Sequence, residues 1–243
     1  MPYRCIISDI DGCLGPESHA PLDAHALARI AQYNTLAQRT NGAILTLCSG
    51  RPQPYAEAIS RLIANTSCPI ICEMGVWLYD PRDNRFLMDP SISASDLEKI
   101  EACTRFVRAE LLPLGITMQP GKTASISLWH PQTPVLMDLK PMIEERIARQ
   151  GWNLRVSNTV AWINLELAHV SKGSGIDRLC AMMGYQKHQL AGIGDTMGDM
   201  AIRDRVAFFA CPSNADERLK ARADYVSTHA ETDGVLDILA RMQ

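Results

Sequence analysis

The sequence predicts an α/β fold: a doubly wound, mainly parallel sheet interrupted by an inserted α+β domain. Three observations carry that expectation. Short, continuously apolar runs alternate with helical stretches early in the chain, the pattern of parallel strands covered on both faces. Between about residues 80 and 168 the texture changes to helix-strand-strand given twice. From Lys172 the strand-helix alternation resumes. With 243 residues, 47% of them hydrophobic, the chain can fill one core and a smaller second one.

The elements follow in order. Arg4–Ile10 reads as a buried strand and Leu22–Arg39 as an amphipathic helix. Ala43–Cys48 is a second strand, Tyr55–Asn65 a helix, and Pro69–Cys72 a short third strand. Val76–Tyr79 and Arg85–Met88 flank Asp80-Pro81-Arg82-Asp83-Asn84, whose composition suits a hairpin turn. Ser95–Leu112 is a long helix, followed by strands Ile116–Gln119 and Ala124–Trp129 around Pro120-Gly121. Pro134–Gln150 is a second helix, followed by strands Leu154–Val156 and Ala161–Leu165. The last part reads as helix to Met183, strand Leu190–Ile193, helix near Gly198–Arg203, strand Val206–Ala210, helix Asp216–Ala223 and a final helix from Asp233. The expected division is a core of residues 1–80 and 169–243, with residues 81–168 inserted as an αββαββ unit.

A net charge of −3 argues against a nucleic-acid binder, whose footprint is basic. No apolar run approaches the ~20 residues that span a bilayer, and Met1-Pro2-Tyr3-Arg4 leads straight into the first strand, so a cytoplasmic protein away from membranes is expected. The eight cysteines are scattered, and even Cys68 and Cys72 do not form a C-x-x-C. Reduced thiols packed as small hydrophobes are the expectation.

Four stretches place chemistry where strands should end, the ligand-binding edge of an open α/β sheet. Asp9-Ile-Asp11-Gly12 puts two carboxylates two residues apart at the end of the first strand, so both can face one centre. Taken alone, the stretch also reads as an acidic turn. Ser49-Gly50 offers a hydroxyl and a backbone donor to a phosphate oxygen, or simply enters a helix. Lys172 opens a helix, where an ammonium can offset phosphoryl charge. Gly192-Ile193-Gly194-Asp195-Thr196-Met197-Gly198-Asp199 sets two carboxylates one helical turn apart behind two glycines.

In this order the four stretches resemble the four motifs of the haloacid dehalogenase superfamily of phosphotransferases. Pro212-Ser213-Asn214-Ala215, Thr232-Asp233-Gly234-Val235 and Ile71-Cys72-Glu73-Met74-Gly75 add to the likeness, although Met74 stands where the family has asparagine and Cys13 where threonine is common. The 122 residues between Ser49 and Lys172 place the inserted cap between the second and third motifs. That resembles the type IIB subgroup, which includes sucrose-phosphate, trehalose-phosphate, mannosyl-phosphoglycerate and phosphoglycolate phosphatases and phosphomannomutase.

The resemblance implies a magnesium-dependent (Mg2+) phosphatase of small phosphorylated metabolites, sugar phosphates or phosphorylated sugar acids. Asp9 would be the nucleophile that becomes an aspartyl-phosphate, and Asp11 the general acid and base. Metal would be held by Asp9, Asp11 through its carbonyl, Asp195 and Asp199. Asp9, Gly12, Ser49, Gly50, Lys172 and Asn214 would bind phosphate. In the cap, Lys122, Ser125, Arg155 and Asn164 are substrate-binding candidates, with Ser127 and His130 as further polar residues. Lys122 and Arg155 could read a second anionic group. Trp129 and Trp162 are read as cap packing, with stacking on a sugar ring as the alternative. The rival readings are a phosphomutase of the same fold and a degenerate, non-catalytic binding protein.

Overall fold

The computed structural model describes residues 3–17 and 19–242. Its central sheet is built from β1 (Cys5–Ser8), β2 (Ile44–Leu47), β10 (Leu190–Ile193), β11 (Phe208–Cys211) and β12 (Tyr225–Val226). The order is β12-β11-β10-β1-β2, and every pair is parallel. Successive strand residues point to opposite faces, and both faces are covered. Ile6 joins a cluster with Leu27 and Ile30 of α1 (Ala24–Thr40), Ile59 of α2 (Gln53–Leu62) and Ile238 of α9 (Glu231–Arg241). Ile7 joins Ile176 and Leu179 of α6 (Lys172–Met183), Ile202 of α7 (Met200–Arg203) and Leu219 of α8 (Glu217–Lys220). This two-sided burial is why the strands read as unbroken apolar runs rather than as alternation.

β1 lies between β10 and β2, so the chain leaves it in one direction and returns on the other side. That reversal opens a crevice at the C-terminal end of β1, directly at Asp9.

The third strand departs from a purely parallel sheet. β3 (Ile70–Cys72) touches β2 through one bridge, Cys48 to Ile71, with Thr46 Oγ1 donating to the Pro69 carbonyl at 2.6 Å. It then pairs antiparallel with β4 (Trp77–Asp80), which pairs with β5 (Arg85–Met88). The expected hairpin is therefore present, closed by Asn84 in the left-handed region (φ 55°).

The inserted unit has its own sheet and core. α3 (Ala94–Phe106) starts with a reciprocal Ser93–Asp96 cap and continues as a wider turn over Val107–Leu111. β6 (Thr117–Met118), β7 (Ser125–Trp129), β8 (Leu154–Asn158) and β9 (Trp162–Leu167) form an antiparallel sheet in the order β6-β7-β9-β8. The helix expected over Pro134–Gln150 is two helices, α4 (Thr133–Asp138) and α5 (Lys140–Gln150). Pro141 is the cause: it lacks an N–H, and its ring would clash with the carbonyl four residues back. Ile126, Leu128, Ile163 and Leu165 pack against Phe106, Leu136, Ile143 and Ile147. Alternation then turns Ser127, Asn164 and Arg155 to the opposite face of the same sheet, towards the crevice.

β12 was not anticipated, because a two-residue strand has no periodicity to read. The eight cysteines are free, and seven are buried. Among the described residues no helix is long and apolar enough to cross a membrane.

Candidate active site

Asp9 follows β1 and is held from three directions. Its N–H donates to the Ile193 carbonyl at 3.1 Å, its Oδ1 accepts from Ile10 N at 2.7 Å, and its Oδ2 accepts from Lys172 Nζ at 2.6 Å. Lys172 is the first residue of α6, which starts with the reciprocal cap Ser171–Ser174. The start of this helix sits tight against the segment after β3: a Cβ on Gly75 would lie 2.2 Å from the Ser171 carbonyl oxygen. The ammonium is thereby carried 163 residues along the chain to Asp9.

The same ammonium reaches Asp199 Oδ1 at 2.7 Å. Asp199 is fully buried, and its Oδ2 accepts from the N–H groups of Asp195 (3.0 Å) and Thr196 (3.1 Å). It thus ties the loop after β10 to Lys172. Asp195 approaches the first motif closely: a Cβ on Gly12 (φ +74°) would fall 1.9 Å from Asp195 Oδ2. That position needs glycine for space and for conformation.

Asp9, Asp195 and Asp199 offer oxygens within 4.8 Å of one another. Burial drives the Asp9 carboxyl up to about 7, with Asp199 and Asp11 adding to the rise and Lys172 opposing it. Burial, then Asp199 and Asp9, push Asp195 up to about 9. Lys172 moves well above its ordinary value, because Asp199 and Asp9 outweigh the burial that acts the other way. Were all three carboxyls ionised, one ammonium would leave two negative charges uncompensated, and each buried ion costs several kcal/mol without a partner, which is why the values rise. Asp195 Oδ1 is moreover buried and without a hydrogen-bond partner. A hard divalent cation with oxygen ligands fits this donor set.

Asp11 is placed differently from the other three. Its carboxylate takes a two-point ion pair from Arg51: Nε lies 3.0 Å from Oδ1 and 2.8 Å from Oδ2, and Nη2 lies 2.5 Å from Oδ1. The Arg51 guanidinium lies over the Tyr55 ring at 5.0 Å and over the Trp162 ring of the cap at 5.7 Å. Arg51 is a residue that the sequence reading assigns no role. Its position two residues after the serine at a strand end is the signal that could have found it.

Ser49 is buried, lines the crevice, and accepts from Arg51 N at 3.1 Å through Oγ. Gly50 lines the crevice beside it. Gly12 and Asn214, expected at the phosphate, both have partners within the protein. The Gly12 N–H donates to the Gly15 carbonyl at 2.7 Å. Asn214 donates to the Gly12 carbonyl at 2.9 Å and accepts from Glu231 N at 2.8 Å, so it braces the loop from behind and does not line the crevice.

The crevice between core and cap has a volume of about 610 Å³. Lys122, Ser127, Arg155 and Asn164 line its cap side. Lys122 Nζ donates to Ser127 Oγ at 2.5 Å, and Ser127 donates to Asn164 Oδ1. Arg155 is engaged by Glu166 Oε2 at 2.8 and 3.1 Å and by the Val170 carbonyl at 3.0 Å. Ser125, expected to meet substrate, is buried and donates instead to Glu73 Oε1 at 3.0 Å. It faces the Glu73 anchor because that carboxylate also accepts from Thr123 N (2.8 Å) and Ala124 N (2.7 Å). Glu73 therefore carries the start of β7 on the core, and it does so with φ at +50°. His130 bonds its neighbour Gln132 and does not line the crevice, whereas Trp129 meets the His19 ring edge-on at 6.4 Å.

Comparison with known proteins places this arrangement in context. A family model described as haloacid dehalogenase-like hydrolase matches residues 141–239. A phosphoglycolate phosphatase of Methanosarcina mazei is 24% identical over 245 residues, covering 98% of this chain and 96% of that protein. A solved structure from Thermoplasma acidophilum superposes with a TM-score of 0.75 at 19% identity, covering 100% of this chain and 99% of the other. The sucrose-phosphatase of Synechocystis sp. PCC6803, solved with sucrose and phosphate, gives a TM-score of 0.69 at 18% identity, covering 100% and 98%.

Proposed function

We propose that the chain is a haloacid dehalogenase-like phosphatase of the type IIB architecture, hydrolysing phosphate monoesters of small metabolites, sugar phosphates or phosphorylated sugar acids, with magnesium and through an aspartyl-phosphate on Asp9. One observation carries this reading. Asp9, Asp195, Asp199 and Lys172 converge from three parts of the chain on the open end of the central strand, with Asp195 Oδ1 buried and unpartnered. The relatives' names support a small phosphorylated substrate.

Asp9, Asp195, Asp199 and the Asp11 carbonyl would hold magnesium, which would supply compensation for carboxylate and phosphoryl charge. In the first half of the reaction an Asp9 oxygen forms a bond to phosphorus as the ester P–O bond breaks. Lys172 holds Asp9 in place and offsets charge on the transferring group, and Ser49 with Gly50 holds the phosphoryl oxygens. Asp11 gives its proton to the departing alcohol oxygen, for which its carboxyl must turn from Arg51 towards the crevice. In the second half Asp11 takes a proton from the water that attacks phosphorus, the acyl-phosphate bond breaks, and Asp9 is regenerated. The cap covers the crevice, which keeps water away until substrate is seated.

The test is phosphate release from a panel of phosphorylated sugars, sugar acids and glycolate, with and without magnesium. Metal-dependent release supports the reading. Phosphoryl migration without release would assign a phosphomutase instead, and no turnover of any ester would leave a binding protein.

A further inference from the structure

The charges in and around the crevice match almost completely, pair by pair. Arg51 pairs with Asp11 and Arg218 with Asp216. On the cap, Arg155 pairs with Glu166, and Lys122 bonds the Ser127 hydroxyl under the pull of Glu73 and Glu166. Those two carboxylates are buried, each with one oxygen unpartnered, so two cations there meet two anions. At the metal end, Lys172 and a divalent cation would together match Asp9, Asp195 and Asp199. One charge is left over. Glu17 lines the crevice, and among the described residues no basic nitrogen lies within 4.0 Å of its carboxylate. Its hydrogen-bond partner is Thr159, in the turn between β8 and β9 of the cap, whose hydroxyl can give it one proton. A carboxylate accepts up to about four, so most of its capacity is left for a ligand.

From this balance we infer that Glu17 is a specificity determinant of the crevice and binds a protonated amine on the leaving alcohol, so that the preferred substrates are phosphate monoesters of amino alcohols or amino sugars. The inference rests on the phosphatase reading above and narrows its substrate class. A phosphate ester brings about two negative charges towards an already unmatched carboxylate, and an ammonium on the same molecule relieves that repulsion. A neutral sugar hydroxyl can donate to Glu17, but it leaves the charge partly buried and unmatched, which costs free energy. An acid substrate would add like charge beside it. Asp11 acts electrostatically on Glu17, as do Arg51 and Lys172 from beyond ion-pair distance, so Glu17 stands near the group that meets the leaving oxygen. Burial raises the Glu17 carboxyl from its ordinary value; the Thr159 bond opposes the rise and Asp11 adds to it. A bound ammonium favours the ionised form.

Two matched pairs of esters test this with magnesium present: 2-aminoethyl phosphate against 2-hydroxyethyl phosphate, and glucosamine 6-phosphate against glucose 6-phosphate. In each pair an ammonium is exchanged for a neutral hydroxyl, at two different distances from the ester oxygen. The wild-type protein should favour the amine in at least one pair by about 10- to 100-fold in kcat/KM. Glu17→Gln, which removes the charge and keeps the shape, should reduce that ratio about tenfold or more, mainly through KM of the amine. Equal use of amine and alcohol by the wild type overturns the inference, as does a ratio that Glu17→Gln leaves unchanged or a preference for 2-phosphoglycolate over both amines. The wild-type ratio decides even if the variant fails to fold. Turnover of p-nitrophenyl phosphate with neither amine used would sink the inference and spare the phosphatase reading, whereas no phosphate release from any ester would sink both.

Discussion

The Asp11 carboxylate is gripped by Arg51 at two points, and the same guanidinium lies over Trp162 of the cap. A group expected to move protons is therefore coupled to the position of the cap. Asp11→Asn should lower kcat by about 10²–10⁴, the usual worth of general acid-base catalysis. Arg51→Ala should lower it by about 10- to 100-fold through misplacement of Asp11. The magnesium concentration for half-maximal activity should change little in Arg51→Ala. Steady-state kinetics with metal titration checks both, and an Arg51→Ala variant with unchanged kcat would show that the pair is incidental.

Metal-free protein should lose stability as pH rises. Asp9 and Asp195 have folded-state values raised to about 7 and about 9, above the ordinary carboxylate value of 3.8. Between the ordinary value and those raised values the folded state binds more protons than the unfolded one, so the unfolding free energy falls with pH. The loss should run from about pH 4 to about pH 9, steepest below pH 7, where both groups contribute. Magnesium, which takes the deprotonated carboxylates, should raise Tm more at pH 8.5 than at pH 6. Asp195→Asn should flatten the metal-free trend and raise the magnesium requirement. Thermal melts across pH with and without magnesium read this out.

Glu73 is the polar anchor between core and cap. Glu73→Ala would strand the N–H groups of Thr123 and Ala124, which at about 1–3 kcal/mol for a buried orphan donor should cost roughly 2 kcal/mol or more of stability. Glu73→Gln keeps an acceptor oxygen and should recover most of that. Urea unfolding of the three proteins compares them directly, and an unchanged midpoint in Glu73→Ala would mean the cap is held by apolar contacts alone.

Much of this arrangement was legible because it depends on local signals. The apolar runs of β1, β2 and β10 and the acidic residues that follow them are adjacent in sequence, so Asp9, Asp195 and Asp199 could be expected at one edge. The period-2 alternation of β7 and β9 was also there to read, since Ile126 and Leu128 against Ser127 separate a packed face from a polar one. What escaped depends on partners far away in the chain. Nothing near Asp11 says that Arg51 holds it, nothing near Ser125 says that Glu73 accepts its hydrogen bond, and Asn214 serves Gly12 across 202 positions. The break at Leu139 was readable from Pro141, and a helix drawn through that proline ignored its missing donor.

The measurement that bears most directly on the account is phosphate release by Asp9→Asn with magnesium, alongside its thermal melt. Replacing a buried carboxylate with its neutral isostere should leave the fold intact, with a metal-free Tm equal to or above that of the wild type, and reduce turnover of every ester to background. A folded Asp9→Asn protein with full activity would contradict the assignment of Asp9 as the attacking group.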